Sequence, residues 1–236
     1  MNKGIKLNNY PKPTVDDIAS HLSNAKTFSV LDAKDGFLQV VLDEPSSYLT
    51  TFWTPFGRYR WMRIPFRIKS APEEFQHCLD ECLGGLQNIA VIADDIIIYS
   101  SGDSKEEAEE NHDTATEELV KCCRQRGLKL NDKTTKFKLD KVAYTGHVFS
   151  KEGLGPDPEK ARVIVDIRRP TDATGLQRLI GMATYLSKFM PQLSTVCEPL
   201  RHPTDARAVF DWLPQHEHTL QNIKESRHTS ASTEVL

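Results

Sequence analysis

No apolar stretch in this 236-residue chain approaches the roughly 20 residues that a membrane-spanning helix needs. The start, MNKGIKLNNYPKP, is polar throughout and lacks the hydrophobic centre of a secretory leader, which points to an intracellular protein, cytoplasmic or nuclear. The five cysteines (Cys78, Cys82, Cys122, Cys123, Cys197) are an odd number with no CxxC spacing. That fits reduced thiols. His77, Cys78 and Cys82 share helical spacing but lack a second ligand pair, so small thiols on a helix face explain them more simply than zinc does. There is no internal repeat and no low-complexity tract. The formal net charge of −3 does not announce a nucleic-acid partner.

What is present is an ordinary globular balance, 39% hydrophobic and 27% charged, which argues against disorder. The charge is unevenly spread. Residues 103 to 118 are acidic, whereas 121 to 141 are basic through Lys121, Arg124, Arg126, Lys129, Lys133, Lys136, Lys138 and Lys141. Such a stretch can follow a phosphate backbone or simply be a solvated face, and charge alone leaves both open.

Thr14 and Asp17 form a capping-box pattern that opens a helix to about Leu22. Phe28 to Leu31 predicts a short buried strand ending at Asp32. Tyr48 to Phe52 and on to Arg63 is aromatic and β-branched, predicting paired strands about Pro55-Phe56-Gly57. Pro72, Glu73 and Glu74 open a helix with Phe75, Cys78, Leu79 and Cys82 on its apolar face, ended by Gly84-Gly85. Residues 89 to 99, IAVIADDIIIY, read as a hairpin bent at Asp94 and Asp95, because aspartate is disfavoured within strands and favoured in turns. A long helix from about Ser104 to Arg126 stops at Gly127. A hairpin near Val142 to Leu154 is closed by Lys151-Glu152-Gly153. Beyond Pro156 and Pro158, Leu176, Leu179, Ile180, Ala183, Leu186 and Met190 recur at helical spacing. The division expected is an α+β part over residues 1–155 and a helical part over 156–236.

Two adjacent acids within an apolar hairpin are costly to bury unpaired, and their like charges repel. Either one is protonated, or a cation sits between them and a third acid, for which Asp32 is the natural candidate. Oxygen ligands suit magnesium, and two such ions about 4 Å apart can activate an attacking hydroxyl and stabilise a leaving phosphate. For the pair taken alone, an ordinary aspartate turn remains the plainer reading. The argument rests on several motifs in order.

Those motifs are FSVLDAKDGF (28 to 37), TPFGRYRW (54 to 61), IPFRIKSAPEEFQ (64 to 76), IADDIIIYS (92 to 100), GLKLN (127 to 131), YTGHVFSKEGL (144 to 154), PDPEKARVI (156 to 164) and LIGMATYLSKFMPQLSTVCEPL (179 to 200). Together they resemble, over about residues 2 to 224, the reverse transcriptase region of gypsy-type long-terminal-repeat retrotransposon polyproteins. The resemblance implies an α+β polymerase palm, an antiparallel sheet with helices on one face, with truncated fingers before it and a helical thumb and connection after it. It implies RNA-directed DNA synthesis on an RNA or DNA template with a primer, from deoxynucleoside triphosphates. Asp32 and Asp94 would hold two magnesium ions (manganese being an alternative), with Asp95 as the third carboxylate. Phe37 would be the aromatic gate against a ribose 2′-hydroxyl, the group that separates RNA from DNA. Lys69 and Gln76 would lie beside the incoming nucleotide, and Tyr144, Gly146 and His147 would form the primer grip.

Departures from the pattern matter as well. Arg67 stands where the family has a glycine that permits close backbone approach to the nucleotide. Ile92 replaces a tyrosine two residues before the aspartate pair, which keeps strand character. The segment NKGIKLNNYPKP matches the middle of the family's fingers, and SRHTSASTEVL departs from the family before its ribonuclease H domain. A truncated relic that at most binds nucleic acid is therefore a rival expectation. A metal-dependent nuclease would leave Phe37 and the primer-grip motif unexplained. The oligomeric state is not legible, and no membrane role is indicated.

Overall fold

One strand organises the sheet. TFSVLDA (β1, Thr27–Ala33) is buried along its length except at Asp32. A strand that is apolar on both faces belongs in the middle of a sheet. In the computed structural model, which describes residues 5, 10–22, 24–189, 192–200 and 210–231, the chain forms two units, Met1–Leu154 and Gly155–Leu236. In the first, β4 (Ile89–Ile92), β5 (Asp95–Ser100) and β6 (Leu130–Leu139) join β1 in the order β4-β5-β1-β6, with antiparallel pairing throughout.

Alternation along β1 and β5 divides the side chains between two cores. Leu31, Ala33, Ile96 and Ile98 meet Phe75, Leu79 and Leu83 of α3 (Ala71–Leu83) and Ala115, Leu119 and Cys123 of α4 (Lys105–Arg126). On the opposite face, Phe28, Val30 and Ile97 meet Ile18 and Leu22 of α1 (Val15–Leu22). The same core takes Val142, Tyr144 and Phe149 from a hairpin of β7 (Lys141–Tyr144) and β8 (His147–Ser150). The α+β expectation holds with one amendment: α3 and α4 share a face, but α1 lies on the other. Phe28, Ile96, Ile97 and Ile98 are each 0% exposed, and burial of such side chains stabilises by about 2 kcal/mol each.

The helix ends follow local chemistry. At α1, the Thr14 and Asp17 side chains exchange bonds with each other's backbone, the Asp17 carboxylate accepting the Thr14 N–H at 2.7 Å. Ser104 accepts the Glu107 N–H at 3.1 Å to start α4, and Gly127 ends it in the left-handed conformation at φ 75°.

One expectation is corrected. Tyr48 lies in a short helix, α2 (Glu44–Leu49), rather than a strand, because Asp43 caps Ser46 and a proline sits in the first turn. The predicted ribbon about Pro55-Phe56-Gly57 is β2 (Phe52–Thr54) with β3 (Gly57–Tyr59). The expected hairpin closed by Lys151-Glu152 is β8 with β9 (Gly153–Pro156), and a further turn at Thr145-Gly146 joins β7 to β8, since Tyr144 pairs with His147. The sequence also gave no warning of β6 as a ten-residue strand.

In the second unit, α5 (Pro158–Asp166), α6 (Ala173–Ser187), α7 (Gln192–Val196) and α8 (Pro214–Ala231) surround a core of Ala161, Leu176, Leu179, Ala183, Leu186 and Leu193 with Leu220 and Ile223. The predicted stripe on α6 is therefore core, with Ile180 packed at its margin; Met190 lies outside the described residues. Asp172 caps α6 through the Gly175 N–H, and Tyr185 accepts the Asp157 N–H at 2.8 Å. Among the described residues no helix is long and apolar enough to cross a membrane.

Candidate active site

Asp32 is the Cα partner of Asp95 across the β1–β5 ladder. Directly opposed residues project to the same face. Ile92 pairs with Asp95, which leaves Ala93-Asp94 as a two-residue loop, and the Ala33 N–H donates to the Asp94 carbonyl at 3.0 Å. All three acids are thus gathered at one end of one sheet.

The carboxylates themselves are less tightly drawn together than the sequence suggested. Among the described residues no three acid, imidazole or thiol groups stand close enough to ligate one ion. The Asp32 carboxylate accepts from Asn131 Nδ2 at 3.1 Å and from Thr134 Oγ1 at 3.2 Å, both on β6. Asp94 is exposed at the loop, and Asp95 is half-buried. Burial first, then the charges of Asp94 and Asp32, raise the Asp95 carboxyl above the ordinary carboxylate range, with Lys136 opposing. Asp95 therefore feels the charge of both other acids, and a cation beside it would relieve that repulsion.

The hairpin carrying Asp94 is held from behind. Ala93 sits at φ 58°, where a side chain is strained and glycine is usual at the first loop position. Its N–H donates to Gln76 Oε1 at 2.7 Å, while Gln76 Nε2 donates to Asp80 at 2.9 Å and more distantly to the Val91 carbonyl at 3.4 Å. Gln76 is 0% exposed. The residue expected beside the incoming nucleotide thus has its amide committed to the loop that carries Asp94, from within the core.

Tyr144 is held in a comparable way. Its side chain is buried, and its hydroxyl donates to the Asp95 carbonyl at 3.0 Å. Burial, followed by the Asp95 charge, raises its phenol well above the ordinary value. His147 is likewise buried, with Nδ1 3.3 Å from the Thr145 carbonyl. Tyr144 and His147 are largely buried and anchor the hairpin from within. What reaches the site is the turn between them, with Thr145 at φ 47° and Gly146 at φ 77°. Positive φ at both loop positions is the sign pattern of the tight hairpin turn that favours glycine. A groove of about 590 Å³ joins this turn to the acids: Asp32, Asp95, Lys133, Lys136, Tyr144 and Thr145 all line it.

On the other side of Asp94 lies Phe37, in a single 3-10 turn (Gly36–Gln39). Its ring meets Phe66 at 5.8 Å and Phe75 at 5.6 Å between centroids. A Cβ on Gly36 would stand 3.3 Å from the Phe75 ring and 3.8 Å from the Asp94 Cβ, so a side chain there would press on the Phe75 ring. Arg67 takes φ 70°, the left-handed backbone for which a glycine is suited. Lys69 is exposed on the turn that leads into α3.

Sequence reasoning missed two parts of this site. Asn131 and Thr134 steer Asp32; Asn131 ends the GLKLN run, and its polar amide beside an apolar strand was the available signal. Gln39 binds the Lys34 and Lys129 carbonyls through Nε2 and accepts the Lys129 N–H at 2.8 Å, while its own carbonyl accepts from Arg63 at 2.7 Å. It thereby shapes a hollow of about 460 Å³ just beyond Asp32, lined by Lys34, Arg63 and Lys129 together with the Asp35 carboxylate. Nothing in its spacing marks it.

Comparison with known proteins places these features in context. Residues 1–149 match the family described as Reverse transcriptase (RNA-dependent DNA polymerase). The Retrovirus-related Pol polyprotein from transposon 412 of Drosophila melanogaster is 30% identical over 226 residues, 95% of this chain and 18% of that protein. The Enzymatic polyprotein of cauliflower mosaic virus (strain D/H) is 29% identical over 231 residues, 96% of this chain and 33% of the relative. The chain thus spans a third or less of these relatives. Among solved structures, the foamy viral protease-reverse transcriptase in complex with double-stranded DNA superposes with a TM-score of 0.86 at 22% identity, covering 96% of this chain and 40% of that one. The same viral protein with an RNA/DNA hybrid gives 0.78 at 21% identity, covering 96% and 30%.

Proposed function

The chain belongs to the reverse transcriptase (RNA-dependent DNA polymerase) family, and from that membership we propose that it is the palm and thumb of a retroelement polymerase, adding deoxynucleotides to a primer 3′ end on an RNA or DNA template. The observation that carries this reading is the pairing of Asp32 with Asp95 at the sheet end where the Asp94 loop closes. Asp32 and Asp94, with Asp95 beside them, would hold divalent cations, magnesium by their oxygen chemistry; bound there, the ions supply charge neutralisation and a more acidic primer hydroxyl.

The remaining work falls to the chain's own residues. The Thr145-Gly146 turn and the acids share one groove, so a primer end seated against that turn points towards Asp32 and Asp95. Lys133 and Lys136 line the same groove and meet backbone phosphates there. Phe37, braced by Phe66 and Phe75, is the wall that a ribose 2′-hydroxyl would strike. Lys34, Arg63 and Lys129 offer positive charge to the polyphosphate of the incoming nucleotide.

Primer extension with magnesium tests the reading. The wild-type chain extends a primed template and Asp94→Asn does not, while filter binding of the same duplex is equal for both. Binding without extension by the wild type would favour instead a nucleic-acid-binding module, the reading that Arg67 at φ 70° supports.

A further inference from the structure

The ribbon β2–β3 is the most exposed apolar feature of the first unit. Phe56 is 88% exposed, Trp53 72%, Tyr48 58%, Tyr59 51%, Trp61 43% and Phe52 41%. Aromatic side chains so far out of a core mark a contact surface. The ribbon is also pinned, although two strands alone are marginal in water. Thr50 Oγ1 accepts the Trp61 N–H at 2.9 Å, the Leu42 N–H donates to the Met62 carbonyl at 3.0 Å, and the Ile64 N–H donates to the Val40 carbonyl at 3.1 Å. The rings therefore stand on a preformed platform.

Strand alternation gives the ribbon two different faces. Phe52 opposes Tyr59, and Trp61 follows on the same side; their centroids lie 6.3 and 6.0 Å from Phe52 at interplanar angles of 30° and 34°. On the reverse face Trp53 opposes Arg58, whose guanidinium lies 4.4 Å above the indole, and Arg60 lies 3.9 Å above the Tyr48 ring. Between residues 45 and 72 the chain carries Arg58, Arg60, Arg63, Arg67 and Lys69 and no aspartate or glutamate. The acid that touches this surface is Glu44, 3.8 Å from Arg60 and hydrogen-bonded to the Tyr48 hydroxyl.

We propose that this ribbon binds single-stranded nucleic acid, the unpaired part of a template, by stacking bases on Trp53, Phe56 and their neighbours while the arginines meet the phosphates. Every base has a π-face, so aromatic platforms beside cations hold single strands without reading sequence. A polypeptide partner would find the apolar rings, whereas a nucleic acid also meets the positive charge that Arg58 and Arg60 hold against them. Identifying the strand as template rests on the polymerase reading; the binding itself does not.

The full-length chain is titrated, without metal, with a thymidine oligonucleotide and with a blunt duplex of equal length, following tryptophan fluorescence. Binding of the single strand quenches the emission. The double substitution Trp53→Ala, Phe56→Ala lowers single-strand affinity about tenfold or more and leaves duplex affinity unchanged. Arg58→Gln and Arg60→Gln each reduce the slope of log affinity against log salt by roughly 0.7. Unchanged single-strand affinity in the double variant overturns the proposal, as does an equal loss for the duplex. A concentration-dependent dimer that the same substitutions dissolve, with strand affinity intact, would assign the ribbon to a second copy and also overturn it. Asp94→Asn keeps single-strand binding while losing extension, so failure of catalysis and failure of this surface are read separately.

Discussion

Replacing Gln76 with leucine separates support of the site from contact with substrate. Leucine fills nearly the same volume in a position that is 0% exposed, so little cavity is left. What is lost is the bond from the Ala93 N–H at 2.7 Å and the bond to the Asp80 carboxylate at 2.9 Å; the 3.4 Å approach to the Val91 carbonyl adds little. A net hydrogen bond contributes about 1 kcal/mol, one to a charged group somewhat more, and the stranded Ala93 N–H adds a desolvation cost, giving about 2–3 kcal/mol of destabilisation. Urea unfolding should show that loss. Without its anchor the strained Ala93-Asp94 loop can relax, and a displacement of about 1 Å at a reacting group costs on the order of a hundredfold in rate. Primer extension should therefore show a fall in kcat with little change in KM for the nucleotide. Gln76→Glu provides the decisive contrast. It retains an acceptor for the Ala93 N–H but sets a carboxylate against Asp80, so it should be as unstable as the leucine variant yet keep more of kcat. A raised KM with unaltered kcat would refute the argument and return Gln76 to the nucleotide pocket.

At Arg67→Gly, relief of a left-handed side-chain conformation, about 1 kcal/mol, is nearly offset by the greater unfolded-chain entropy of glycine, about 0.4–1 kcal/mol. The melting temperature should barely move, so any faster extension reports closer approach to the nucleotide; a slower rate would show that the arginine itself contributes. Burial, aided by Lys138 and opposed by Asp113 and Glu109, holds the His112 imidazole below its ordinary pKa. The unfolded chain then takes up a proton that the folded chain does not, so stability present above about pH 6.5 is lost as pH falls towards the depressed folded value. Urea midpoints should drop between pH 7 and 5 in the wild type and less in His112→Leu; parallel curves would discount His112. Lys133→Gln and Lys136→Gln should each lower the salt slope of duplex binding by about 1, and an unchanged slope would place the phosphates elsewhere.

Much of this was legible because local and global preferences agree. The IAVIADDIIIY hairpin announces itself through a polar break in an apolar run, and Ser104 and Gly127 mark both ends of α4. Tyr48 misleads because its β preference is weaker than the Asp43 cap and the Pro45 start around it. β6 is hidden for a different reason. It is an edge strand whose pairing with β1 shifts register between Phe28 and Val30 and again between Val30 and Asp32, so its exposed and half-exposed residues follow no clean alternation. The roles of Gln76 and Tyr144 depend on side chains reaching backbone 17 and 49 residues away, which no spacing rule contains. Their motifs could be recognised in the sequence, but whether they face substrate or core could not.

β1 has a consequence for how copies of such a sequence decay. It is paired on both edges, and its two faces belong to two separate cores, with Asp32 near its end. Loss or gain of one codon between Phe28 and Leu31 would turn every later side chain of the strand through to the opposite face. Leu31 would then point at α1, and the Asp32 carboxylate would point into the α3–α4 core. One in-frame indel there would remove the carboxylate from the site and spoil both cores together. The same change in the exposed segment between β5 and α4 would shorten or lengthen a loop. Among diverged copies, indels should therefore accumulate around residues 101–103 and be missing from 28–31, in genes whose reading frames are still under selection for a folded product.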